Sequence, residues 1–171
     1  MLVRAGTILP FTCEQLFALA ADIERYPEFL TGWISARIMQ REATICHVDQ
    51  EVRFGPIRLR FKSIAVLQAP KRIDVTSTDG PFKYFGLSWV IAANSSGGCR
   101  ISIAASVELQ SGILQLAVNP FLSAVVDDNI RAFEARACAL YACLPPIAPP
   151  EPLRTTVAMS PGHHQPEDQR S

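Results

Sequence analysis

Asp22-Ile23-Glu24-Arg25-Tyr26-Pro27-Glu28-Phe29-Leu30 is an acidic and aromatic turn between an amphipathic helix and a long run of strands. Proline disfavours the helical region for the residue before it, so the preceding helix is expected to break at Tyr26 and continue as a kink or a second short helix. Upstream, residues 2–9 read as a strand that Pro10 ends. Thr12-Cys13-Glu14-Gln15 has the spacing of a capping box, in which the threonine hydroxyl accepts from a first-turn amide while the glutamine reaches back. Leu16, Phe17, Leu19, Ala20 and Ile23 then form an apolar stripe at helical spacing. A broken helix placed this early, ahead of many strands and one long terminal helix, outlines a ligand cavity better than an active site.

From about residue 34 the period changes from helical to two. Cys46, Val48, Gln50, Val52 and Phe54 share one face, opposite Ile45, His47, Asp49, Glu51 and Arg53. Gly55-Pro56 makes the turn, after which Ile57, Leu59 and Phe61 face in while Arg58, Arg60 and Lys62 face out. A short strand over residues 73–78 lies between turns at Pro70-Lys71 and Asp79-Gly80-Pro81. Phe85, Leu87, Trp89 and Ile91 form the bulky face of the next strand, and a Ser-Ser-Gly-Gly loop leads into a last alternating run over 100–109. Turns at this spacing indicate an antiparallel meander with one wet face.

Residues 113–143 carry apolar side chains every three to four positions, from Leu114 through Val118, Phe121, Val125, Ile130 and Phe133 to Leu140. This is one long amphipathic helix, with a kink expected near Pro120, and the meander is the surface on which it can bury its apolar side. The expected class is therefore α+β, a curved antiparallel sheet wrapped around a long C-terminal helix. Incomplete closure between the two leaves a pocket. The domain spans 1–143, and 144–171 reads as a proline-rich, disordered tail.

The totals exclude several functions. Lys and Arg number 16, as do Asp and Glu, so no global field draws the chain to DNA. The five cysteines contain no Cys-x-x-Cys pair, and their odd number argues against a disulfide framework and for a reducing compartment. Without a secretory signal or an apolar run of about 18 residues, the chain is read as cytoplasmic.

Catalytic chemistry is sparse. His163 and His164 lie in the tail, and His47 sits on a polar strand face with no partner implied by spacing. No metal signature or glycine-rich phosphate loop appears, so no metal ligands or cofactor are expected. Asp127-Asp128 and the Glu24/Glu28 pair read as helix-surface charges. Arg58, Arg60, Lys62, Lys71 and Arg72 form a basic set suited to anionic headgroups or RNA phosphates, or simply to keeping a solvated face soluble. Gln50 is the polar member of an apolar face, with Ser63 and Ser77 in comparable positions. A buried amide needs partners, and an inward amide can also hold a ligand carbonyl.

Tyr26-Pro27-Glu28-Phe29-Leu30 after a short helix resembles the coenzyme Q-binding, START-like proteins of the polyketide cyclase/dehydrase and lipid transport superfamily. Gly55-Pro56, Trp89, Asn119-Pro120 and Phe133-Glu134-Ala135-Arg136-Ala137 support the likeness over residues 2–143. Relatives continue with Pro-Trp-Cys where this chain has Thr31-Gly32-Trp33, so its loop differs in shape. The resemblance implies a helix-grip fold, as in START and Bet v 1 domains, with a hydrophobic tunnel. It also implies non-catalytic binding of ubiquinone or a similar isoprenoid lipid in support of respiration, with peripheral contact at the inner membrane. In that reading Leu59, Phe61, Trp89, Val118, Phe121 and Val125 line the tunnel, and Gln50 holds the headgroup. Tyr26, Phe29, Leu30 and Trp33 stand at the mouth. Two rival readings are a ribosome-associating protein that binds through the Arg58/Arg60/Lys62 face and a polyketide cyclase or aromatase using the same cavity.

Overall fold

The computed structural model describes residues 1–141; the predicted tail over 144–171 lies outside the described residues. Strand β1 (Leu2–Leu9) is followed by α1 (Cys13–Ala21), a single 3₁₀ turn (Ile23–Arg25) and α2 (Tyr26–Phe29). A six-strand meander comes next: β2 (Trp33–Glu42), β3 (Ile45–Phe54), β4 (Ile57–Gln68), β5 (Arg72–Ser77), β6 (Phe82–Ala93) and β7 (Cys99–Leu109). Helix α3 (Gly112–Tyr141) closes the described chain. The seven strands form one curved antiparallel sheet in the order β1-β7-β6-β5-β4-β3-β2. The expected helix-grip architecture is the observed one.

Alternation puts Val48, Val52, Leu59, Phe61, Ile73, Leu87, Trp89, Ile101, Ile103 and Val107 on the buried, concave face. Helix α3 covers this face with Val118, Leu122, Val126, Asn129, Ile130, Phe133 and Ala137, all buried. Each large apolar side chain buried here is worth about 1.5–3 kcal/mol before entropy is charged against it. Pro120 lies inside α3 without ending it.

Thr12 and Gln15 form the capping box that starts α1, each side chain bonded to the other's backbone N–H. The break that follows is not where the proline was expected to put it. Tyr26 keeps helical dihedrals, and the chain departs from the helix at Asp22, whose ψ is 63°. Pro27 instead sits in the first turn of α2, where a missing N–H costs nothing because that donor has no intrahelical acceptor. The turn is then held by Tyr26. Its ring is buried, its hydroxyl donates to the Ala20 carbonyl at 2.5 Å, and its ring packs against those of Phe29, Trp33 and Trp89. Burial pushes the phenol well above its ordinary pKa, opposed by a smaller effect from Trp89, so the group stays a neutral donor.

The cysteine reading also needs correction. Cys13 and Cys99 form a disulfide across 86 residues, joining the start of α1 to the start of β7. Pairing of Leu9 with Cys99 in the β1–β7 ladder brings the two together, a proximity that counting cysteines cannot reveal. The odd count therefore gives no support for a reducing compartment. Among the described residues no helix is long and apolar enough to cross a membrane.

Closing so long a loop restricts the unfolded chain strongly. The double variant Cys13→Ser/Cys99→Ser should lose about 2–4 kcal/mol in urea denaturation. An unchanged transition midpoint and slope would show that the bridge contributes nothing.

Candidate ligand cavity

Helix α3 does not touch the sheet everywhere. A small, partly open cavity remains between its middle turns and the concave face, with a volume of about 20 Å³. Val52 and Phe54 come from β3, Phe85 and Leu87 from β6, Ile103, Ala105 and Val107 from β7, and Leu122, Val125, Val126 and Asn129 from α3. Gly32, Trp33 and Arg53 complete the wall. That volume holds one water molecule.

Two turns close the cavity against α3. At Gly32, φ is +90°, the Arg53 amide donates to its carbonyl, and a Cβ would press on the Arg53 carbonyl while only touching Val125 at ordinary contact distance. At Gly55, φ is +58° and the Phe121 ring occupies the place a Cβ would take. Glycine is needed at both turns to reach this backbone region, and at Gly55 also to leave room for Phe121 of α3.

The expected site residues divide by position. Val125 and Trp33 line the cavity. Leu59, Val118 and Trp89 are core residues, Trp89 stacking on Phe133 with ring centroids 5.0 Å apart. Phe61 belongs to an aromatic cluster with Phe82 and Phe85, touching the cavity only through Phe85. Phe121 stands half in solvent over Gly55, outside the lining. Of the expected mouth, Tyr26 and Leu30 are buried in the core and not at a rim. Phe29 packs against Phe133, with the Arg136 guanidinium 5.6 Å from its ring centre. The physical reason is common to all. Strand alternation says which side chains point inward, but the path of α3 decides which of them are packed tight.

Gln50, expected to hold a headgroup, has protein partners at both ends of its amide. Its Nε2 donates to Ser63 Oγ at 2.7 Å and its Oε1 accepts from Trp33 Nε1 at 3.2 Å. Ser77 Oγ donates to the Lys62 carbonyl and accepts from the Asp79 amide. These inward polar groups are engaged with one another or with backbone, so Gln50 ties β3 to β4 and fixes Trp33. The acids counted as surface charges also have structural partners: Glu24 accepts from the Ile38 amide, and Glu28 pairs with Arg25 and Arg136.

Asn129 is the polar group the sequence reading passed over. It is 1 % exposed, and its Oδ1 has no hydrogen-bond partner among the described residues. Its spacing from Val126 and Phe133 placed it on the buried stripe, which was the available signal.

On the opposite, convex face Arg60 lies 2.6 Å from Asp49, Arg58 3.9 Å from Glu51 and Arg72 2.5 Å from Asp74. The hydrogen bond from Arg60 holds the Asp49 carboxyl below the usual carboxylate range. The expected basic set is thus interleaved with acids, and such exposed pairs add little stability.

The sequence pattern of the family described as "Polyketide cyclase / dehydrase and lipid transport" matches residues 9–134. Among characterised proteins, the chain is similar to "Ribosome association toxin RatA" of Vibrio cholerae, 25% identical over 139 residues, covering 81% of this chain and 96% of that protein. It is also similar to "Coenzyme Q-binding protein COQ10 homolog B, mitochondrial" of Xenopus laevis, 23% identical, covering 78% of this chain and 57% of that protein. The fold matches the crystal structure of TTHA0849 from Thermus thermophilus with a TM-score of 0.72, at 21% identity, covering 82% of this chain and 99% of that one.

Gln50→Leu would leave the buried Ser63 hydroxyl without its partner and release the Trp33 indole. A loss of about 1–3 kcal/mol is expected, measured by thermal or urea unfolding. A variant as stable as the parent would show that the network is not engaged in solution.

Proposed function

The chain belongs to the polyketide cyclase / dehydrase and lipid transport family, and on that premise we propose that it binds a hydrophobic small molecule of the ubiquinone or isoprenoid-lipid class without changing it chemically. The observation that carries this reading is the cavity itself. Its wall is apolar apart from Trp33, Arg53 and Asn129, and it lies between a sheet and a helix that meet through two glycine turns. The name of the Xenopus relative supports a quinone as the occupant.

Binding proceeds by opening. One water volume cannot admit a prenyl chain, so the α3 side chains on the cavity wall, Val125 among them, must draw back from the sheet as the ligand enters. Each methylene transferred from water offsets this rearrangement by about 0.8 kcal/mol. The lining described contains no carboxylate, imidazole, thiol or hydroxyl, so it offers no acid–base pair for a cyclisation.

Purification without detergent, organic extraction and mass spectrometry should recover a prenylated lipid. Val125→Trp, which fills the cavity, should reduce ubiquinone binding at least about tenfold by titration, or about 1.4 kcal/mol. Absence of prenylated lipid together with no measurable quinone binding would refute the proposal.

A second reading, association with the ribosome, is favoured by the names of the bacterial relatives. It would use the convex face, where Arg58, Arg60 and Lys62 stand outward on β4. Under this reading Arg60→Glu, which sets a second acid beside Asp49, abolishes cosedimentation with ribosomal subunits and leaves lipid binding intact. Unchanged cosedimentation would exclude this face.

A further inference from the structure

Buried polar groups in folded proteins almost always have partners, and Asn129 departs from that rule at a telling place. It projects from the middle of α3 into the wall of the cavity, between Val126 and Phe133 on the buried stripe. Its Oδ1 is buried and unpartnered among the described residues. The other inward amide, Gln50, is bonded at both ends. Of the buried side-chain atoms without a partner among the described residues, Trp89 Nε1, Asn129 Oδ1 and Arg136 Nε, only Asn129 Oδ1 belongs to a residue of the cavity wall.

We propose that Asn129 is the polar anchor of the cavity and that it selects a neutral lipid bearing a hydroxyl on its head. This rests on the lipid-binding reading above and specifies the ligand class. A hydroxyl can donate to the unpartnered Oδ1. A carbonyl or ether oxygen can only accept, and it leaves Oδ1 buried without a donor. A carboxylate or phosphate head is disfavoured for a different reason. Arg53 is the one cation among the described lining residues, and it is exposed at the rim, so a buried anion would go uncompensated. For a quinone the same logic favours the reduced, hydroxyl-bearing form over the oxidised one.

The test uses the full chain, stripped of lipid, with farnesol and farnesyl methyl ether as probes and tryptophan fluorescence as readout, Trp33 being in the cavity wall. The two ligands differ in little but the donor. In the parent protein farnesol should bind about five- to tenfold tighter than the ether. In Asn129→Leu the two affinities should become equal, while the melting temperature rises because an unpaired buried amide has been removed. Should Asn129→Leu fail to fold, Asn129→Ala is read for the same ratio. Equal affinities in the parent, or a preference that survives in the variant, would overturn the assignment and leave the lipid-binding reading standing. Failure of both ligands to bind the parent would overturn both. If Asn129 merely held a fixed water, the variant would lose stability and keep the preference, which also counts against the proposal.

Discussion

A seven-stranded sheet with one apolar face has to be covered, and α3 is the element that covers it. Its 30 residues extend about 45 Å, enough to cross the whole concave surface. The remaining architecture serves that contact. Helices α1 and α2 fill the space at one end, the Cys13–Cys99 bridge ties α1 to β7, and Tyr141 reaches back to the Gln15 carbonyl. Glu28 and Arg136 link α2 to α3 across the surface. The cavity is what remains where helix and sheet do not quite meet, so its size depends on the seating of α3 more than on any one lining residue.

Polar groups inside this contact serve two purposes. Gln50, Ser63 and Trp33 form a closed set whose members satisfy one another, and sets of this kind specify strand pairing and side-chain orientation. Asn129 is in the same interior, and its carbonyl oxygen has no partner among the described residues. Leaving such a group unpaired costs about 1–3 kcal/mol, so its presence destabilises the empty fold and favours an occupant that can pair with it.

The two sides of the sheet support different functional readings. The concave side is largely apolar and covered by α3, suited to a hydrophobic molecule. On the convex side β3 acids alternate with β4 bases, which disperses the positive field a polyanion would need. The relatives' names point to both kinds of partner, a ribosome and coenzyme Q. A shared fold can present either surface as the functional one.

Much of this was legible in the chain because the signals are local. The capping box at Thr12, the alternation along β3, β4 and β7, and the stripe of α3 each follow from side-chain period over a few residues. Those periods sufficed for the α+β class and for the inward placement of Gln50, Phe61, Trp89 and Val118. They were silent on distances between elements far apart in the chain. Pairing of Leu9 with Cys99 brought the disulfide partners together, the seating of α3 buried Trp89 and Val118 beyond the cavity's reach and left Asn129 Oδ1 without a partner among the described residues, and cross-strand geometry engaged Gln50. Which way a residue faces is a property of its own strand or helix. Whether the space in front of it is filled, and whether its polar atoms are already paired, depends on tertiary packing.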